Sequence, residues 1–290
     1  IISKKFLIKK NKGICIVAVG SYGRGEASKE SDIDVYVIHK GELPREKERE
    51  INCLISDTAK MAEVKYSSGF DSIAIKEMIR NIGGNADTNP SITNRILFLL
   101  ESECLFNKML FKKTYNDILD KYFSDIEDSC KLPRFLLNDI IRYYRTMCVD
   151  YEFKTTVQGK DWAIRNVKLR FSRKALYVGG VFILLNSINM QDSCYEYIKL
   201  NLRSSFPNKI STLVKRQSKL RNECIRILRL YSEFLTEIGN LPLLVQVLNL
   251  ITYYYSNYLI KGMNNYDSSS FIKQLSFLAF HSIFSLIMLV

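Results

Sequence analysis

The chain has 290 residues, 47% hydrophobic and 25% charged, the balance of a soluble globular protein with room for two domains. Its formal charge of +12 suits a phosphate-rich partner, a nucleotide or a nucleic acid, and is equally consistent with a generally basic surface. Seven cysteines (15, 53, 104, 130, 148, 194, 224) form no C-x-x-C pair, and only His39 and His281 accompany them. That pattern excludes a disulfide scaffold and a zinc site and predicts a reducing, cytoplasmic compartment.

The first residues, Ile1-Ile2-Ser3, hold no methionine and read as a cut, and the lysines at 4, 5, 9, 10 and 12 break any apolar run that a secretory signal would need. Residues 14–20 and 33–38 are short, β-branched and bounded by turn residues, which predicts two strands. Residues 45–62 place Ile51, Leu54, Ile55, Thr58 and Ala59 on one side of a helix. A third strand is predicted near residues 64–66, and 83–90 reads as a loop. Beyond Pro90 nearly everything reads as helix: 92–110, 113–126, 133–153, 160–187, 205–238, 241–261 and 268–289. The last two are apolar, yet the first carries Pro242, Gln246 and Asn249 and the second falls short of a span of about 20 residues. Buried helices explain both better than a membrane does, and the apolar end at Val290 hints at missing sequence. The predicted fold is α+β: a small mixed-sheet domain over 1–110, then an all-helical domain over 111–290.

Between the first two strands lies Gly20-Ser21-Tyr22-Gly23-Arg24-Gly25-Glu26, followed by Ser31-Asp32-Ile33-Asp34-Val35. Side chains alternate along a strand, so Asp32 and Asp34 share one face. Two neighbouring carboxylates are costly unless a cation sits between them, and Mg²⁺ takes such hard oxygen ligands while substrate phosphates complete its shell. The turn can seat those phosphates, because Gly20 lets the backbone approach and Ser21 offers a hydroxyl. A plain hairpin with acidic decoration is the competing reading.

This arrangement resembles the DNA polymerase β-type nucleotidyltransferase superfamily, whose signature is Gly-Ser, a spacer, and Asp-x-Asp. Over residues 14–38 it is similar to the subgroup written G-S-x-G-R-x-E…S-D-I-D. Further on, R-Y-x-R-T at 142–146 and I-R-N-x-K-L-R-x-S-R-K at 164–174 resemble a bacterial group of nucleotidyltransferases with a helical second part. The resemblance implies transfer of a nucleoside monophosphate from a triphosphate, ATP or another, to a hydroxyl on RNA, protein or a small molecule, with release of pyrophosphate. It implies Mg²⁺ or Mn²⁺ on Asp32 and Asp34. Gly20, Ser21 and Arg24 would meet the nucleotide, and Arg142, Arg145, Lys168, Arg170 and Arg173 would neutralise its phosphates. For those cations the alternative is ion pairing with Asp139, Asp150, Glu152 and Asp161.

The superfamily adds a third carboxylate from a later strand. Glu63, Asp71 and Asp87 are the candidates, and Asp71 is preferred because Phe70-Asp71-Ser72-Ile73 could close a strand on the same side. With that position empty, the chain would be a catalytically degraded nucleotide-binding regulatory module. A third reading makes the basic helical half a nucleic-acid-binding protein. Nothing in the sequence sets the oligomeric state.

Overall fold

The computed structural model describes residues 11–239 apart from 68, 125–131, 160–161, 189 and 191–192. The two apolar segments predicted as helices beyond Gly239 lie outside these residues. Among the described residues no helix is long and apolar enough to cross a membrane.

The fold is α+β, a small mixed sheet with helices followed by a helical region. Strand β1 (Ile14–Val19) leads into the five-residue helix α1 (Gly20–Arg24), and β2 (Asp34–His39) returns antiparallel to it. Helix α2 (Arg45–Met61) crosses back to β3 (Asp71–Ala74), which pairs parallel to β2. Helices α3 (Ile75–Arg80) and α4 (Asn89–Glu101) precede β4 (Glu103–Phe106), antiparallel to β1, so the sheet order is β3-β2-β1-β4. Helices α5 (Lys108–Phe123) and α6 (Arg134–Thr156) follow. Next come α7 (Trp162–Lys168), a π-helical turn (Leu169–Arg173) and α8 (Lys174–Ser187). The described chain ends with α9 (Cys194–Asn201), α10 (Phe206–Arg216), a 3₁₀ turn (Ser218–Leu220) and α11 (Arg221–Gly239).

The chain divides into two compact units. Among the described residues, one holds 11–143 together with Asn186–Ser205, and the other holds Tyr144–Leu185 together with 206–239. In the first, Ile14, Ile16, Val35 and Val37 form one sheet face and bury Ile51 and Ile55 of α2. Cys15, Val17 and Val19 point the other way and are also buried, so β1 is covered on both sides. This explains why its sequence is a continuous apolar run rather than an alternation. In the second unit, Val178 and Phe182 of α8, Ile210 and Leu213 of α10, and Cys224, Ile227, Tyr231 and Phe234 of α11 form the core.

Several predicted elements shift. The third strand is not 64–66, where Lys65 makes only an isolated bridge with Asp32, but Asp71–Ala74. The predicted helix over 92–110 breaks at Ser102, and Glu103–Phe106 joins the sheet edge instead. Its apolar run suits either state, and pairing with β1 decides for strand. The helix predicted over 205–238 is interrupted near Gln217, while α3 and α9 were not foreseen.

Candidate active site

The turn at the end of β1 is shaped by glycine at two positions. Gly20 has φ +68°, a left-handed backbone, and a Cβ built there would lie 2.6 Å from Asp34 Oδ2. The Asp34 side chain therefore rests directly on the turn. At Gly23 a Cβ would meet the Glu101 carbonyl oxygen at 2.0 Å, so α1 packs backbone to backbone on the end of α4.

A buried acid supports this turn from behind. Glu101, 1% exposed, accepts the Gly20 N–H through Oε1 at 3.1 Å and pairs with the Arg24 guanidinium through Oε2. Arg24 also reaches Glu26 Oε2 through Nε at 2.6 Å. Its side chain is 11% exposed, so Arg24 is tied into the turn by two carboxylates. Glu101 does not stand out in the sequence, because it is a single acid closing the apolar run Ile96–Leu100.

Asp34 opens β2 opposite Val19, and Asp32 sits two residues earlier at the bridge with Lys65; both are exposed. Lys65 pairs with Glu30, and that hydrogen bond, with a smaller contribution from Asp32, holds its ammonium above the ordinary value. Asp71 opens β3 and pairs with Tyr36, two residues beyond Asp34. Laterally paired residues share a face, so Asp71 stands on the same face as Asp34 and Asp32. Strand spacing puts its Cα diagonally about 8 Å from that of Asp34.

The other candidates for a third acid are placed elsewhere. Glu63 lies in a turn after α2 with φ 54°. Asp87 is buried against Arg95, whose guanidinium meets Asp87 Oδ2 at 2.5 Å and Asp139 Oδ2 at 2.6 Å. Arg95 Nε also donates to the Tyr122 hydroxyl, which donates to Asp139, both at 2.6 Å. Burial drives that phenol well above its ordinary value, so it stays a neutral donor.

The cations of the later helices fall in different surroundings. Arg142, in the first unit, reaches the Asp87 carbonyl at 3.4 Å. The other four belong to the second unit: Arg145, Lys168 and Arg170 are exposed and Arg173 is half-buried, the last two within the π-helical turn. Of their expected partners, Asp139 is taken by Arg95 and Asp150 by Lys154 at 2.6 Å, and Asp161 lies outside the described residues.

Among the described residues, no three His, Cys, Asp or Glu side chains converge closely enough to hold a metal on their own. Two exposed carboxylates beside a glycine turn nonetheless fit Mg²⁺, which keeps waters and substrate phosphates in its shell and needs only one or two protein carboxylates.

Residues 2–81 match a family described as a nucleotidyltransferase domain, and the strand, glycine-shaped turn and same-face carboxylates on two adjacent strands fit that match. This match supports the DNA polymerase β-type superfamily that the Gly-Ser…Asp-x-Asp pattern resembles. No curated protein matches the chain.

Proposed function

We propose that this protein is a metal-dependent nucleotidyltransferase that moves a nucleoside monophosphate from a triphosphate to a hydroxyl acceptor and releases pyrophosphate. The observation that carries the reading is the Gly20 turn pressed against Asp34, with Asp32 and Asp71 on the same sheet face. Asp32 and Asp34 would hold Mg²⁺ or Mn²⁺ through their carboxylate oxygens. When bound, such an ion would supply acidification of the acceptor hydroxyl and charge neutralisation of the triphosphate. The turn at Gly20 and Ser21 seats the phosphates, and Glu101 and Arg24 hold it in shape. Asp71 takes the proton of the attacking hydroxyl. The new O–Pα bond forms in line as the bond from Pα to the pyrophosphate oxygen breaks. Positioning and charge neutralisation provide most of the acceleration. Six described cysteines are free thiols, which supports a reducing, cytoplasmic setting.

A second reading, a nucleotide-binding module without turnover, is favoured by the lack of three convergent acids among the described residues. Incubation with each labelled nucleoside triphosphate and Mg²⁺ or Mn²⁺, with and without total RNA, separates the two. Pyrophosphate and a labelled product that disappear in Asp32→Asn support transfer. Nucleotide binding without product supports the second reading, and full activity in Asp32→Asn removes the metal argument.

A further inference from the structure

The positive charge is concentrated in one unit. Residues 144–185 and 206–239 carry 15 lysines and arginines against six acids, a formal +9 of the chain's +12. Within them, residues 215–229 hold six basic residues and one acid, Glu223. Lys215 lies in the last turn of α10, Lys219 sits in the 3₁₀ turn, and Arg221, Arg226 and Arg229 lie on α11; all five are exposed. None of the five pairs with a carboxylate among the described residues. The sequence beyond Gly239 contains a single acid, Asp267, so it has little with which to neutralise them.

The orientation of α11 separates its two sides. Cys224, Ile227, Tyr231 and Phe234 recur at helical spacing and are buried in the core of the second unit. Arg221, Ile225 and Arg229 follow one another at i, i+4 on the opposite side, with Arg226 beside them. Ile225 is 49% exposed and is the one large apolar side chain on that face. A helix that binds a lipid surface needs a free apolar side. Here that side is already spent on the core, and what remains outside is charge, basic over Arg221–Arg229 and acidic further on at Glu233 and Glu237.

We propose that the outer face of α11, with Lys215 and Lys219, is a docking surface for a single-stranded nucleic acid held by its phosphates. This rests on the transfer reading above, and it identifies the hydroxyl acceptor as a polynucleotide. Arginine forks and lysine ammonium groups bind phosphate oxygens without reading sequence. Association therefore has little base preference and a strong dependence on salt.

The test is fluorescence anisotropy of the full chain with a labelled 20-nucleotide single-stranded RNA. Five phosphate contacts predict a slope of about −3.5 in log K against log salt concentration, since each contact on a single strand contributes about −0.7. The triple variant Arg221→Gln, Arg226→Gln, Arg229→Gln lowers the slope magnitude to about 1.4. It also weakens binding at 0.1 M salt about a hundredfold, about fivefold per contact. A control triple of exposed lysines in the first unit, Lys76→Gln, Lys108→Gln, Lys112→Gln, has the same net charge and binds as the unaltered chain does. The inference is overturned if the α11 triple retains full affinity, or if the control loses as much. It is also overturned if vesicles with 30% phosphatidylserine bind the chain and RNA does not compete. Because this assay involves no transfer, patch-dependent RNA binding without pyrophosphate release would uphold the surface and reject the transferase. Pyrophosphate release with a small acceptor but no patch-dependent binding would do the reverse.

Discussion

Replacing Gly20 by alanine tests the active-site geometry at its tightest contact. The backbone there has φ +68°, which costs an L-residue about 1–2 kcal/mol. Part of that is returned because alanine restricts the unfolded chain, so the net loss is about 1 kcal/mol. For a chain of this size, thermal unfolding should fall by roughly 2–4 °C. The larger effect is local. The new Cβ would stand 2.6 Å from Asp34 Oδ2, whereas ordinary contact begins at 3.4 Å, so the carboxylate must retreat by about 0.8 Å. Asp34 is exposed, so the shift is taken up at the surface rather than in the core. A displacement near 1 Å can cost about a hundredfold in rate when the displaced group positions the reacting atoms. Gly20→Ala should therefore remain folded in a thermal melt while pyrophosphate release falls by about two orders of magnitude. Activity within threefold of the unaltered chain would refute the assignment of Asp34 to the reacting centre.

Arg95→Met should destabilise the first unit by about 3–5 kcal/mol, because Asp87 and Asp139 would be left buried without their cation; a urea titration measures it. The Tyr122 hydroxyl still bonds Asp139 in that variant, so a loss below about 1 kcal/mol would mean the carboxylates find water or protonate freely. Lys174, beside Arg170 in the second unit, has its ammonium held below the ordinary 10.5, by burial first and by Arg170 second. A depressed lysine binds fewer protons folded than unfolded, so its penalty is complete at low pH and fades as pH rises through the lowered value toward 10.5. Melts of the chain and of Lys174→Met should accordingly converge as the pH approaches 10.5, and a constant gap between them would exclude this origin.

Much of the first unit was legible because its signals were local. A β-branched run, a Gly-Ser turn and a second run with acids at alternate positions specify β1, the turn and β2 without reference to anything distant. The third strand was harder: Val64–Tyr66 has the better strand composition, yet parallel pairing with β2 falls on Asp71–Ala74. Preference for Asp71 as the third acid came from the same segment, and the observed register puts it on the face of Asp34. The residues the sequence hid, Glu101 and Arg95, share one property. They are the two charges of the otherwise uncharged helix α4, and their partners lie up to 81 positions away in the chain. Long-range pairing of this kind leaves no periodic trace. The break between β4 and α4 was hidden for a related reason, since an apolar run suits strand and helix alike until a neighbour supplies the hydrogen bonds.

The charges around the turn also bear on how a triphosphate could approach it. Asp32, Asp34, Asp71, Glu26, Glu30 and Glu101 are six carboxylates, while the cations paired among them are Arg24 and Lys65. Arg24 is spent on Glu26 and Glu101, and Lys65 on Glu30, so neither is offered to a phosphate. A polyanion would therefore enter a field of its own sign unless a divalent cation came with it. Unit charges 4 Å apart interact by about 4 kcal/mol at the effective dielectric of a protein surface, which is enough to make that requirement decisive. Nucleotide binding, and not only turnover, should therefore require a divalent cation, and binding that survives excess EDTA would refute this. On the proposed reading, the strongly basic second unit would serve a different need, that of an acceptor carrying many phosphates.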